Sequence, residues 1–191
     1  MKQKGFTLAE LLIALLILGV IATFTIPKVL SSQQSNEWNA KAKEAIASSS
    51  EAFKLLQLEI GINASTTSSN LSPYLNYVRL QTVGDIDGAL GQTTLTCSPG
   101  SPCLHLHNGG VLAVRNVAML GTSTTHCIPL FFDPDGVYSG TTNGPGKSVH
   151  FFIYANGLVR TRDSVSDPSC NATLCPFSAT TDKDPAWFNW D

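Results

Sequence analysis

Residues 6–26, FTLAELLIALLILGVIATFTI, form an apolar run of 21 residues in which Glu10 carries the one charge. As an α-helix rising about 1.5 Å per residue, the run reaches about 31 Å, which matches a hydrocarbon core of about 30 Å. Backbone groups in lipid have to be satisfied within the segment itself, so a single span of this length has to be helical. A carboxylate inside that span costs about 2.5–3.5 kcal/mol even on the lenient insertion scale, so Glu10 calls for a partner. Lys2 and Lys4 precede the run and supply the positive flank that stays on the cytoplasmic side. A removable secretory signal would show a shorter apolar stretch and a small-x-small cleavage site, whereas here the run continues to Ile26-Pro27. The segment is expected to be retained as an anchor.

After Pro27 the chain turns amphipathic without a loop-like break. Trp38, Ala42, Ile46 (or Ala45), Ser49, Phe53, Leu56 and Ile60 recur in steps of three and four, which is the spacing of one apolar helical stripe. Glu37, Lys41, Lys43, Glu44, Glu51 and Lys54 fall between them, and Glu37→Lys41 is an i,i+4 pair of favourable orientation. Gly61-Ile62-Asn63 and the Ser/Thr-rich residues after it stop the helix. The spacing therefore predicts one helix from Phe6 to about Ile60, with Gly19, Thr23, Thr25 and Pro27 as its weak points.

The remaining residues read as a small β-rich unit. Ser72-Pro73 is the signature of a cap and first helical position, so a helix of about two turns is expected from there. Asp85-Ile-Asp87-Gly88 reads as a turn. Strand-like runs follow at 104–107, 111–115, 128–132, 149–154 and 158–161, with hairpin signals at Asn108-Gly109-Gly110 and Asn156-Gly157. The fold class is α+β, a long amino-terminal helix lying on an antiparallel sheet. The last residues, from Ser164 on, are rich in turn formers, and Trp187-Phe188-Asn-Trp190 is expected to pack rather than be exposed.

Five cysteines, Cys97, Cys103, Cys127, Cys170 and Cys175, lie in the second half and fit no spacing of a zinc site. Two disulfides in an oxidising compartment are expected, with Cys97–Cys103 and Cys170–Cys175 the simplest local closures and Cys127 left as a buried small hydrophobe. Asp133, Asp135 and Asn143 place oxygen ligands after a strand and are candidates for calcium. The loop lacks the terminal bidentate Glu of the EF-hand, and an Asp-Pro-Asp-Gly turn is the favoured reading of it over a calcium site. His105 and His107 alternate on one strand face without an evident third metal ligand.

Charged residues make up 14% of the chain and the net charge is −2, without a basic block, which argues against a nucleic-acid partner. Arg115, Lys147, Arg160 and Arg162 could gather on the head, yet their density is low for phosphate binding. No nucleophile-and-base arrangement points to catalysis, so the chain does not read as an enzyme.

The segment KGFTLAELLIALLILGVIATFTIP, with a short basic leader ending in Gly5, resembles the amino terminus of type IV pilins and of type II secretion pseudopilins. The resemblance covers about the first thirty residues. It implies cleavage between Gly5 and Phe6 by a prepilin peptidase and N-methylation of Phe6. Glu10 becomes the fifth mature residue, and Pro27 the twenty-second, where the family commonly kinks. It further implies assembly through Thr7, Glu10, Gly19 and Pro27, with the carboxylate meeting the amino terminus of a neighbouring subunit. The expected partners are membrane lipid, the inner-membrane assembly platform, other pilins or pseudopilins, and further copies of the chain in a helical filament. The expected location is the bacterial inner membrane, single-pass with the head outside the cytoplasm, then an extracellular pilus or a periplasmic pseudopilus. The organisation that follows is a leader at 1–5, a membrane and filament-core helix at 6–30, its amphipathic continuation at 31–62 and a head at 63–191. The competing expectation is an unprocessed membrane-tethered binding protein.

Overall fold

A computed structural model describes residues 7–63, 65–87, 94–116, 127–137 and 148–162. One helix, α1, runs unbroken over Leu8–Glu59, 52 residues or about 78 Å. Among the described residues its first half is left largely uncovered: Leu8, Leu16 and Phe24 are all well exposed. Its second half buries Trp38, Ala42, Ala45, Ile46, Ser49, Ala52, Phe53 and Leu56 on the head, following the stripe spaced in threes and fours. Ile60, the expected last member of that stripe, is instead 62% exposed, because the helix ends at Glu59 and Ile60 leaves the helical path as its cap. The Glu37–Lys41 pair forms at 2.8 Å.

The head is built on a six-stranded antiparallel sheet. In chain order its strands are β1 (Tyr77–Gln81), β4 (Cys103–Leu106), β5 (Val111–Val114), β6 (Cys127–Asp133), β7 (Val149–Tyr154) and β8 (Val159–Arg162). They lie side by side in that same order. A separate hairpin pairs β2 (Asp85–Asp87) with β3 (Thr94–Thr96). The strands therefore lie within about a residue or two of the runs expected at 104–107, 111–115, 128–132, 149–154 and 158–161. Gly109 and Gly157, at φ 85° and 81°, make the turns that the Asn-Gly signals announced, since a residue with a Cβ resists positive φ. Alternation along β6 and β7 sends Ile128, Leu130, Phe132, Phe151 and Ile153 toward α1. Phe131 and Ala113 face the other way, where Ile86 and Leu95 of the β2–β3 hairpin cover them. The sheet is thus sandwiched between a helix and a hairpin.

Three local readings of the sequence are corrected. The short helix does not start at Ser72: a 3₁₀ helix spans Ser68–Tyr74, with Pro73 near its end. Asn70 Oδ1 accepts from the Thr67 N–H (2.7 Å) and hydroxyl (3.1 Å), and this cap starts the turn before Ser72 is reached. Tyr77–Gln81, which that helix was expected to absorb, is a strand. Asp85–Asp87 is also a strand rather than a turn, because Ile86 is drawn onto the apolar outer face of the sheet.

Two side-chain devices fasten the layers. Pro129 lies in a central strand and has no N–H to give. The register that pairs Val114 with Leu130 would bring Arg115 opposite Pro129. There the buried Ser68 hydroxyl donates to the Arg115 carbonyl and accepts from the Arg115 N–H instead. On the helix side, Lys41 Nζ reaches the Pro134 carbonyl at 3.5 Å and the Asn108 amide donates to Glu44 at 3.0 Å. Tyr74 donates to Glu59, and that hydrogen bond to a carboxylate pushes the phenol above its ordinary value.

Cys97 and Cys103 are joined, which ties β3 to β4. A loop this short is worth about 2 kcal/mol by the chain-entropy argument. Cys127 is corrected: it is disulfide-bonded and not a free thiol, to a partner outside the described residues. Cys170, Cys175 and the Trp187–Trp190 stretch also lie outside the described residues.

Gly110 shows how closely the sheet is packed. A Cβ there would sit 2.4 Å from Phe132 Cζ and 3.0 Å from the Asp133 carbonyl oxygen. Phe132 is fully buried and has nowhere to retreat. Gly110→Ala is expected to destabilise the head by about 1–3 kcal/mol, the usual range for overpacking, read as a lower midpoint in urea unfolding of the full chain.

Candidate functional site

The described part of the amino-terminal segment begins at Thr7. Thr7 is extended (φ −77°, ψ 152°) and caps α1. Its hydroxyl accepts from the Glu10 N–H at 3.3 Å, while Glu10 Oε2 accepts from the Thr7 N–H and the Thr7 hydroxyl, each at 2.8 Å. This is a capping box, Thr7-Leu-Ala-Glu10, in which two helix-end donors are satisfied reciprocally. Such a cap is worth about 1 kcal/mol. The carboxylate, which on the sequence calls for a partner, therefore has one in the cap of its own helix. The T-x-x-E spacing that announces it was present in the sequence but hidden by the apolar run around it. Gly5 and Phe6 lie outside the described residues.

From Leu11 to Pro27 the helix carries no charge, and Lys28 ends the run. Among the described residues, α1 is the one helix long and apolar enough to cross a membrane. Within it, the backbone is weakened at several places in one short stretch. The Thr23 hydroxyl donates to the Gly19 carbonyl at 2.7 Å and the Thr25 hydroxyl to the Ile21 carbonyl at 3.0 Å. Pro27 removes the N–H that would have reached the Thr23 carbonyl. Hydroxyls that bond back to the preceding turn loosen and bend helices. Gly19 faces open space, so a Cβ there would touch nothing among the described residues.

The head residues singled out by the sequence are dispersed rather than gathered. Asp133 is buried at the end of β6, and Asp135 Oδ1 accepts from the Val137 N–H at 3.0 Å, closing a turn. Asn143 lies outside the described residues, among which no group of three His, Cys, Asp or Glu side chains could hold a metal. His105 meets Arg79 and Gln81, whereas His107 meets Asn76 at 3.1 Å. Arg115 lies over the Phe131 ring, 5.7 Å from its centre. Arg160 and Arg162 stand on β8 opposite Phe152 and His150, and Lys147 lies outside the described residues.

Residues 1–26 match the family model described as the prokaryotic N-terminal methylation motif. That motif is the prepilin-type signature of type IV pilins and pseudopilins, and the helix-on-sheet architecture is pilin-like. The chain is thus similar at its amino terminus to type IV pilins and pseudopilins, and it carries that motif on a helix long and apolar enough to cross a membrane. No curated protein and no solved structure matches the chain.

Proposed function

We propose that this protein is a subunit of a type IV pilus-like filament. A prepilin peptidase cuts between Gly5 and Phe6 and N-methylates Phe6; the mature chain waits in the inner membrane with its head outside the cytoplasm, and α1 then enters the core of a helical fibre. A head-to-tail contact that does not close on itself builds such a fibre. The observation that carries this reading is the exposed apolar half of α1 with its single carboxylate at the capped end, attached to a signature read by the peptidase. Lipid covers that surface before assembly and neighbouring copies cover it afterwards, so no part of it has to meet water.

Glu10 has two partners in turn on this reading. In the isolated chain it holds Thr7; in the fibre it faces the methylated amine of an adjacent copy. Opposite charges about 4 Å apart attract by about 4 kcal/mol at an effective dielectric of 20, which is larger than the cap it gives up. A type II pseudopilin would share this amino-terminal chemistry, and its fibre would stay in the periplasm.

The test is the mass of the amino terminus of protein taken from the native membrane. The expected species begins with N-methylphenylalanine at Phe6, and Gly5→Ala is expected to leave only the longer, unmethylated form. A native chain that still begins MKQKG would identify an unprocessed tether instead.

A further inference from the structure

The β1–β4 edge of the sheet holds a cluster that lies apart in the chain from the amino-terminal segment. On the outer face of the sheet edge, His105 of β4 stands directly across from Arg79 of β1. A bulge makes this possible: Tyr77 pairs with Leu106 and Arg79 with His105, so Val78 is the extra residue. Without it Tyr77 and Arg79 would share a face. With it Tyr77 packs on the core and Arg79 is turned outward, the kind of re-aiming that bulges perform.

His105 Nε2 then lies 2.9 Å from Arg79 Nη2 and 2.7 Å from Gln81 Oε1. One ring nitrogen cannot serve both: it accepts from the guanidinium only without a proton and donates to the amide oxygen only with one. Among the described residues Arg79 meets no carboxylate, so none of them neutralises its charge. Asn76 and His107 continue the same edge, and neither is acidic. The edge therefore presents one permanent cation and one conditional cation side by side.

We propose that Arg79 and His105 form an acid-gated receptor for a single oxyanion group, a phosphate, sulfate or carboxylate. This goes beyond the filament role and does not depend on it. When His105 is neutral, its lone pair takes one N–H of Arg79 and the ring adds no charge of its own. When His105 takes a proton it turns to Gln81, repels the guanidinium and leaves two cations exposed, a pair that an oxyanion bridges with charge-assisted hydrogen bonds. The groups that face the ring are few. β1 brings Arg79, β5 brings Val111 opposite, and the β2–β3 hairpin meets this face through Ile86 and Leu95, with Asp85 and Asp87 on the same hairpin strand. Among the described residues no carboxylate acts on the ring; partial burial and then the Arg79 charge hold His105 below its ordinary value, so the gate is closed at neutral pH.

The experiment follows the four histidine rings by NMR in the full-length chain in detergent micelles, titrated with pH with and without sodium sulfate, whose charge stays constant over that range. Sulfate is expected to raise the His105 midpoint by about one unit, which by reciprocity means binding about tenfold tighter to the protonated form. Arg79→Ala is expected to abolish the rise. Gln81→Ala, which removes the competing acceptor, is expected to enlarge it, and both sites are exposed enough that the fold should tolerate the changes. No shift with sulfate, a shift that survives Arg79→Ala, or a shift lost in Gln81→Ala overturns the proposal. Short polyphosphate distinguishes the source: a larger Arg79-dependent rise than sulfate gives marks a polymeric phosphate ligand, and an equal rise marks a free ion, either of which supports the site.

Discussion

Glu10→Ala is expected to yield mature, methylated protein in the membrane and almost no fibres in the sheared fraction. On the proposed filament reading the variant strands the methylated amine of each neighbour inside an apolar bundle, and removing one partner of a buried pair costs about 3–5 kcal/mol at every contact. The capping box complicates this result, because alanine also deletes the acceptor for Thr7, worth about 1 kcal/mol. Glu10→Gln separates the two contributions. An amide still fills the third position of a capping box, so Thr7 keeps its partner while the charge is gone. Fibre loss with glutamine as severe as with alanine assigns the effect to the ion pair between copies. Fibre recovery with glutamine would show that Glu10 acts only within its own helix.

Phe53→Ala should produce the largest loss of head stability. Phe53 is fully buried on the face where α1 meets the sheet, in the same cluster as Leu71, Leu130 and Phe151. Truncating a phenylalanine in such a position costs about 3–5 kcal/mol, partly lost transfer energy and partly the cavity that remains. That is a large fraction of the stability of an ordinary domain, so the expected outcome is a head that is cleaved by protease at a temperature where the parent resists. Leu58→Ala, at a position 84% exposed on the same helix, is the control and should change nothing measurable. Equal sensitivity of the two variants would mean that the helix is not seated on the sheet as described.

How much of this was legible depended on how local each signal was. The helix stripe, the Glu37–Lys41 pair and the Asn-Gly turns are written in neighbouring residues, and the chain obeys them. Strands β2 and β3 are three residues each, too short to display a period of two, and they form because the outer face of the sheet needs covering. Ser72-Pro73 gave a valid cap signal that lost to Thr67-Ser-Ser-Asn70, an equally valid one a few residues earlier. The Cys97–Cys103 link could be found from spacing because its loop is short, whereas the bond made by Cys127 could not, since proximity in sequence says nothing about distant closures. In the amino-terminal segment, the carboxylate was obvious and its own-chain partner was not, because hydropathy drew the reading toward the membrane and away from the four-residue cap. The Arg79–His105 pairing was hidden by a bulge, which the residue pattern does not announce.

The seating of α1 also determines how the molecule bears load. In the fibre proposed above, a pull would arrive along the helix axis, from the half that would hold the neighbouring copies. Trp38 to Leu56 lies flat against the strands, so that pull reaches the head as sliding stress spread over the whole contact, and no strand is peeled from its neighbour first. Rows of interdigitated side chains resist sliding together, whereas ladder bonds opened from one end yield one at a time. A head mounted in this way behaves as a rivet rather than a zip.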